Sequence, residues 1–137
     1  MGILTNSGNE IDELVRQKFG EREYLVAFKN DTIEKNLLKL FISNFVYVMD
    51  SARSYILVFD KNGIYEKEIS NELKGDFVLI PWHEIDEFNV KVGSRKAVIS
   101  FLHVGKRVGY EVPLKATIYK NNPNHLQELL DKSWNQV

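Results

Sequence analysis

Residues 55–69 read Tyr-Ile-Leu-Val-Phe-Asp-Lys-Asn-Gly-Ile-Tyr-Glu-Lys-Glu-Ile, and they contain two runs with strand character on either side of a turn sequence. Both runs are rich in β-branched and aromatic residues, and Asn-Gly at 62–63 tolerates the positive φ that a tight hairpin turn requires. The first run is apolar on both faces, which is typical of a central strand covered on both sides. The second alternates, with Glu66 and Glu68 on one face. The stretch therefore predicts an antiparallel hairpin from which a sheet extends outward.

The composition is typical of one ordinary globular domain. The chain has 137 residues, of which 44% are hydrophobic and 27% are charged, and its 2 Trp, 6 Tyr and 8 Phe favour a sheet-rich core. The net charge of −1 provides no general attraction for nucleic acid, so no nucleic-acid partner is predicted. Cysteine is absent from the sequence, which excludes disulfides and thiolate catalysis.

Neither a membrane span nor a secretion signal is predicted. No run of the sequence approaches the ~18 consecutive apolar residues of a transmembrane helix. The start of the sequence lacks the basic and apolar regions of a signal peptide. Together with the absence of cysteine, these features favour a cytoplasmic location.

Further strands are predicted at residues 24–28, 45–49, 77–80, 84–92, 97–104 and 108–114, where β-branched and aromatic residues cluster between turn sequences. A leading helix is predicted at residues 10–19, with Asn9 as its N-cap and Gly20 as its stop. Its apolar stripe consists of Ile11, Leu14, Val15 and Phe19. The pattern at residues 32–42 leaves helix and strand open.

A second amphipathic helix is predicted near the end of the sequence. Asn122 would cap it, and Pro123 would occupy the first helical position, where its missing N–H costs nothing. One side of this helix would carry Leu126, Leu129, Leu130, Ser133 and Trp134.

This order of elements resembles the pleckstrin-homology (PH) superfold, and two strings strengthen the resemblance. Ile-Leu-Val-Phe-Asp-Lys-Asn-Gly at 56–63 is similar to a strand–turn segment of small bacterial PH-like proteins, and Ile-Pro-Trp-His-Glu-Ile at 80–85 is similar to their Ile-Pro-Tyr-x-x-Ile stretch before the fifth strand. The resemblance implies a mainly β (α+β) chain, namely an antiparallel barrel of about seven strands with N-terminal and C-terminal amphipathic helices. It implies a single PH-like domain over residues 1–137, with a loose terminus at 1–8 and the barrel and closing helix at 21–135.

The resemblance also implies a non-enzymatic binding or scaffolding module that acts through protein contacts or self-association, with an oligomer as one outcome. Trp82 and Tyr65 are the predicted interface residues. The sequence has no P-loop and no other glycine-rich catalytic motif, and its three histidines lack metal-ligand spacing. No catalytic residue, metal site or cofactor is therefore predicted. His103 is expected to be buried and hydrogen-bonded.

Basic residues on two turns support an alternative function. In an up-and-down sheet, the turns at 61–63 and 105–107 are expected to share one end, which would bring Lys61, Lys106 and Arg107 together near residues 30–43. Two or three such bases can hold one phosphate through charge-assisted hydrogen bonds, which predicts weak binding of an anionic lipid or phosphate. A further alternative is a small-molecule binding barrel or NTF2-like cone, which would have a cavity inside the sheet.

Overall fold

The computed structural model describes residues 7–29, 53–69, 76–115 and 121–136, and most of them belong to one antiparallel sheet of seven strands. The predicted elements at 32–42 and 45–49 lie outside the described residues. The strands are β1 (Tyr24–Lys29), β2 (Arg53–Asp60), β3 (Gly63–Glu68), β4 (Val78–Pro81), β5 (Ile85–Val92), β6 (Lys96–His103) and β7 (Lys106–Pro113). The helices are α1 (Ser7–Phe19) and α2 (Asn122–Asp131), with short 3-10 helices at Trp82–Glu84 and Ser133–Asn135.

The strands are arranged in the order β4-β3-β2-β1-β7-β6-β5. The first strand along the chain is therefore central, and the chain passes from one edge of the sheet to the other through the 3-10 helix Trp82–Glu84. The prediction of a mainly β chain with an antiparallel seven-stranded sheet and two helices is confirmed. The described sheet is not closed into a barrel, because β4 and β5 remain at its two edges. β4 has only four residues and ends at Pro81, which has no N–H to donate to another ladder.

The hairpin predicted at residues 55–69 consists of β2 and β3, and its first strand is covered on both faces. Ile56, Leu57, Val58 and Phe59 are all fully buried. The turn itself differs from the prediction. Asp60 lies opposite Gly63, so the two turn residues are 61 and 62, and Asn62 is not among the residues with positive φ.

A side chain stabilises this turn instead. The backbone N–H of Asn62 donates to Asp60 Oδ1 at 2.8 Å, which is an Asx turn. Gly63 is already part of β3, with a φ of +154°. The predicted hairpin is therefore confirmed, whereas the predicted positive φ at Asn62 is wrong.

Alternating side chains divide the core between two faces of the sheet. The inner face, as we call it, packs against α2 and the turn that follows it, and the outer face packs against α1. Fully buried inner-face residues include Leu25, Leu57, Phe59, Ile99, Phe101 and Tyr110; the outer-face core includes Val26, Phe28, Ile56 and Val58 beneath Ile11 and Val15.

The end of α1 was predicted correctly and its start was not. Gly20 has a φ of +79°, and its N–H donates to the carbonyl of Arg16 at 2.9 Å, as expected of a helix stop. The helix begins at Ser7, so Asn9 lies within it and is not its N-cap.

The chain reverses its helical hand after α2. Ser133, Trp134 and Asn135 have φ values of 52°, 61° and 58°, in the left-handed region. This turn places the Trp134 ring in the inner core, with ring centroids 5.0 Å from Phe59 and 5.4 Å from Phe88. The prediction that one buried side of the helix includes Leu130 and Ser133 is wrong. Leu130 lies within the helix but is 38% exposed, and Ser133 is exposed beyond the regular helix, which ends at Asp131.

Asn122 joins strands instead of capping a helix. The ladder between β1 and β7 contains only two residue pairs, Phe28 with Glu111 and Lys29 with Tyr110. Beyond them, the buried amide of Asn122 replaces the ladder. Its Oδ1 accepts from the Val26 N–H at 3.0 Å, and its Nδ2 donates to the carbonyls of Val26 (3.0 Å) and Pro113 (2.9 Å).

We expect Asn122→Ala to lower the free energy of unfolding by about 3 kcal/mol, since each buried polar group left without a partner costs about 1–3 kcal/mol. Three backbone groups lose their partner in this variant. Urea unfolding followed by circular dichroism measures the loss. Asn124→Ala, at an exposed position of the same helix, is the matched control and should change stability by less than about 0.5 kcal/mol. Equal losses in the two variants would contradict the bridging role.

Candidate functional site

The two turns that carry the predicted basic residues lie at opposite ends of β1. Lys61 follows β2 at the end where β1 begins, since Tyr24 lies opposite Val58. Lys106 begins β7 at the end where β1 finishes, since Lys29 lies opposite Tyr110. The strands do not follow one another in the simple order that the prediction assumed, because β5 does not continue beside β4 but starts a second run of strands at the opposite edge.

Both turns nevertheless contact the same 3-10 helix, Trp82–Glu84. The Trp82 N–H donates to the Asn62 carbonyl at 3.2 Å, and the Val104 N–H donates to the Glu84 carbonyl at 3.2 Å. This helix therefore connects the β2–β3 turn to the β6–β7 turn.

Two of the three predicted bases are available to a ligand. Lys61 and Lys106 are exposed, and neither has an ion-pair partner within the described parts of the chain. Arg107 donates from an Nη atom to Glu87 Oε1 at 3.1 Å, so its charge is already compensated. Binding of a lipid or phosphate by these residues stays a prediction.

The two predicted interface aromatics make contacts within the chain. Trp82 donates from Nε1 to the Asp60 carbonyl at 2.7 Å, and its ring meets Phe88 edge-on at a centroid distance of 5.4 Å. The Tyr65 ring lies 4.9 Å from that of Phe19 on the outer face. Both are only partly buried, and their role in an interface stays a prediction.

A β-bulge explains why Phe88 reaches the inner core. The β5–β6 register shifts by one residue between Asp86 and Asn89, and Glu87 has a φ of 55°. Such a bulge re-aims the side chains that follow it. Both Ile85 and Phe88 therefore pack against the inner core, although three positions separate them.

Two of the three histidines, His103 and His125, form hydrogen bonds. His103 Nε2 lies 2.9 Å from Glu84 Oε1, and its side chain is one-third exposed, so the predicted hydrogen bond is present with less burial than expected. His83 is exposed, 3.9 Å from the other oxygen of Glu84. His125 Nδ1 lies 2.8 Å from the Tyr24 carbonyl. In the described segments, no three His, Asp or Glu side chains are grouped as metal ligands.

A polar cleft of about 200 Å³ lies between α1, the start of β1 and the start of α2. The Tyr24 hydroxyl donates to the Asp12 carboxylate, and burial together with this bond raises the pKa of Tyr24 above its ordinary value. Arg16 lies 3.5 Å from Glu13 and 3.2 Å from Glu21. Much of the charge around the cleft is thus compensated within the protein. Sequence reasoning did not find this cleft, because its walls come from distant segments.

The inner face carries a second polar group, the Lys29–Glu66–Tyr110 cluster. The Tyr110 hydroxyl donates to the Glu66 carboxylate, and Lys29 Nζ lies 3.0 Å from the same carboxylate. The Lys29 ammonium also lies 5.2 Å and 5.7 Å from the ring centroids of Tyr55 and Tyr110, within cation–π range. Burial, followed by the Glu66 charge, raises the pKa of Tyr110 well above its ordinary value, so its phenol remains a donor.

This cluster reveals how strongly the sheet is curved. Glu66 is on β3 and Tyr110 is on β7, and β2 and β1 lie between these strands. Three strand spacings in a flat sheet would separate them by about 14 Å. Their direct hydrogen bond therefore requires the inner face to be concave.

A buried ion pair lies on the outer face of β6 and β7. Lys96 Nζ is 3.4 Å from Glu111 Oε1, and their side chains are only 12% and 7% exposed. The second oxygen, Glu111 Oε2, is buried without a hydrogen bond in the described structure. Burial raises the pKa of Glu111 to about 7 in spite of the nearby ammonium, and burial likewise lowers the pKa of Lys96. Removal from water thus outweighs the attraction between the two charges.

We expect Glu111→Gln to change how stability depends on pH. The pKa of the Glu111 carboxyl is about 7 in the folded protein and has its ordinary value of 4.5 in the unfolded chain. Proton binding therefore stabilises the fold fully below about pH 4.5, and this stabilisation is lost as the pH rises through 7. Relative to the variant, the wild type should lose about 2 kcal/mol between pH 5 and pH 8. Urea unfolding at both values measures this difference, with the exposed Glu128→Gln as control. A pH-independent difference would contradict the raised pKa.

These features define a mainly β protein with a concave antiparallel sheet between two helices. Comparison with protein-family models gives no match, and neither the search of curated proteins nor the search of solved structures returns one. Within the described segments, no helix is both long enough and apolar enough to cross a membrane.

Proposed function

We propose that the protein is a non-enzymatic binding or scaffolding module with a PH-like fold, and that it acts through protein contacts. The concave seven-stranded sheet and the final helix on its inner face support the PH-like assignment. So does the segment 80–85, which leads from one sheet edge to the other.

The filled inner face favours this function over a small-molecule barrel or cone. Phe59, Phe101 and Tyr110 are completely buried there, and Trp134 is 7% exposed. Large aromatic side chains therefore occupy the space that a ligand cavity would require. Binding through the exterior is the arrangement that this packing supports.

The observation that carries the proposal is an exposed apolar edge strand. Val78 and Leu79 are 62% and 40% exposed on β4, which pairs with β3 along one side only in the described sheet. An edge strand offers backbone N–H and C=O groups to an incoming extended segment, and exposed apolar side chains add affinity. We therefore assign the contact with another protein to β4.

The test compares the wild type with a Val78→Lys/Leu79→Lys variant. The wild type should bind a protein partner from the source cells, and β4 amides should become protected from hydrogen exchange in the purified complex. The double variant should lose the partner. Val104→Lys, at an exposed apolar position on the β6–β7 turn, should retain it.

Circular dichroism verifies that both variants are folded. A partner that remains bound to the double variant and leaves β4 unprotected would contradict the proposed contact. A small molecule that co-purifies inside the sheet would favour the barrel or cone alternative.

A further inference from the structure

The second edge strand, β5, presents a regular pairing surface along its last four residues. Asn89 to Val92 pair in register with Ser100 to Ala97 of β6. The Gly93 N–H donates to the Lys96 carbonyl. This bond identifies which residue pairs of the β5–β6 hairpin are hydrogen-bonded and which are not. Because bonded and non-bonded pairs alternate in an antiparallel ladder, the backbone groups of Val90 and Val92 point away from β6.

The apolar side chains next to this edge are incompletely covered. Val92 is 50% exposed, and Val90 is partly buried against the inner core. A further strand along the edge would cover Val92 and use the outward backbone groups.

Charges along the β5 edge indicate which chain could supply this additional strand. Asp86 is exposed near the start of β5, whereas Lys91 and Arg95 are exposed near its end. None of the three has an ion-pair partner in the parts of the chain that are described. The neighbouring charges of Glu87 and Lys96 are engaged within the chain by Arg107 and Glu111.

We propose that this edge pairs with the β5 edge of a second copy, antiparallel across a two-fold axis. The antiparallel arrangement places Asp86 of each copy beside the basic end of the other, and it forms this contact twice. A parallel arrangement would bring like charges together. This inference rests on the proposed function and specifies self-association as one form of it.

The contact defines a weak and reversible dimer. The bulge at Glu87 interrupts the edge, which limits the regular ladder to about four residues on each copy. An interface of this size lies at the low end of specific contacts, where association is transient. Its charge pairs are exposed, so salt should weaken the dimer.

The experiment uses two edge variants of opposite charge. Lys91→Glu/Arg95→Glu makes the whole edge acidic, and Asp86→Lys/Asn89→Lys makes it basic. In sedimentation velocity over a concentration series, the wild type should dimerise reversibly. Each variant alone should have a dissociation constant at least tenfold higher than the wild type, and an equimolar mixture of the two should recover a dimer.

Recovery of the dimer in the mixture cannot arise from misfolded variants. The control for a change of charge elsewhere is Lys61→Glu, at an exposed base on the β2–β3 turn, which should dimerise like the wild type. A wild type that stays monomeric throughout the series, or a mixture that fails to recover, would overturn the β5 dimer. Neither result concerns the partner contact at β4, which the Val78→Lys/Leu79→Lys comparison tests separately.

Discussion

Replacing Trp134 by alanine is expected to lower the free energy of unfolding by about 3–5 kcal/mol, the usual cost of removing a large buried aromatic side chain. The indole is 7% exposed and packs against Phe59 on β2 and Phe88 on β5. It therefore joins the two halves of the sheet on the inner face. Urea unfolding followed by circular dichroism measures the loss.

Two variants near Trp134 separate packing from backbone strain. Leu130→Ala removes a more exposed side chain from α2 and should cost much less than Trp134→Ala. Ser133→Gly relieves a left-handed φ of 52° and should be neutral or stabilise by up to about 1 kcal/mol. A loss below about 1 kcal/mol for Trp134→Ala would show that the indole does not hold the inner core together.

Gly63→Ala is expected to destabilise the protein by about 3 kcal/mol or more, through overpacking combined with an unfavourable φ. A Cβ at this position would lie 2.1 Å from the Ile80 carbonyl oxygen and 2.8 Å from the Pro81 Cα. These are backbone atoms, so β4 as a whole must move. Unfolding in urea measures the loss, and hydrogen exchange should show reduced protection of β4.

Gly105→Ala is the matched control for this substitution. Gly105 also has a positive φ, of +82°, but no atom lies within 4 Å of its Cβ position. Gly105→Ala should therefore lower the free energy of unfolding by only about 1–2 kcal/mol, the cost of holding a residue with a Cβ at a positive φ. Similar losses in the two variants would contradict the importance of the close approach between β3 and β4.

Periodicity in the sequence predicted the elements because it reflects local packing. The buried run at 56–59 could only suit a doubly covered strand, and Ile11 and Val15 recur at helical spacing on the buried side of α1. These signals require no knowledge of distant partners. The described strands, the two helices and the hairpin could therefore be predicted from the sequence.

The buried polar contacts could not be predicted from the sequence, because the residues that form them are distant along the chain. Alternation placed Glu66 on the face opposite Tyr65 but did not reveal that this face is the inner one. Only the curvature of the sheet brings Glu66 to Tyr110. The Asn122 side chain likewise resembles a helix cap in sequence, and its bonds to Val26 depend on strands 96 positions away.

The predicted grouping of Lys61, Lys106 and Arg107 rested on an order of strands that the described sheet does not have. Counting turns along the chain assumes that each strand lies beside the previous one. The chain instead leaves the sheet at β4 and re-enters at the other edge, so the turns of Lys61 and Lys106 lie at opposite ends of β1 and are connected through the 3-10 helix Trp82–Glu84. A local sequence pattern carries no signal for such a crossing.

The central position of β1 has a consequence for how the protein is made. A nascent chain that has emerged from the ribosome through β3 can already pair one side of β1, but the other side must wait for β7 and then for Asn122. Until then, the middle strand of the finished sheet is an open template for other chains. Such late, long-range closure slows folding and favours aggregation of incomplete chains. Truncations that end before residue 106 should therefore require chaperone assistance to remain dispersed.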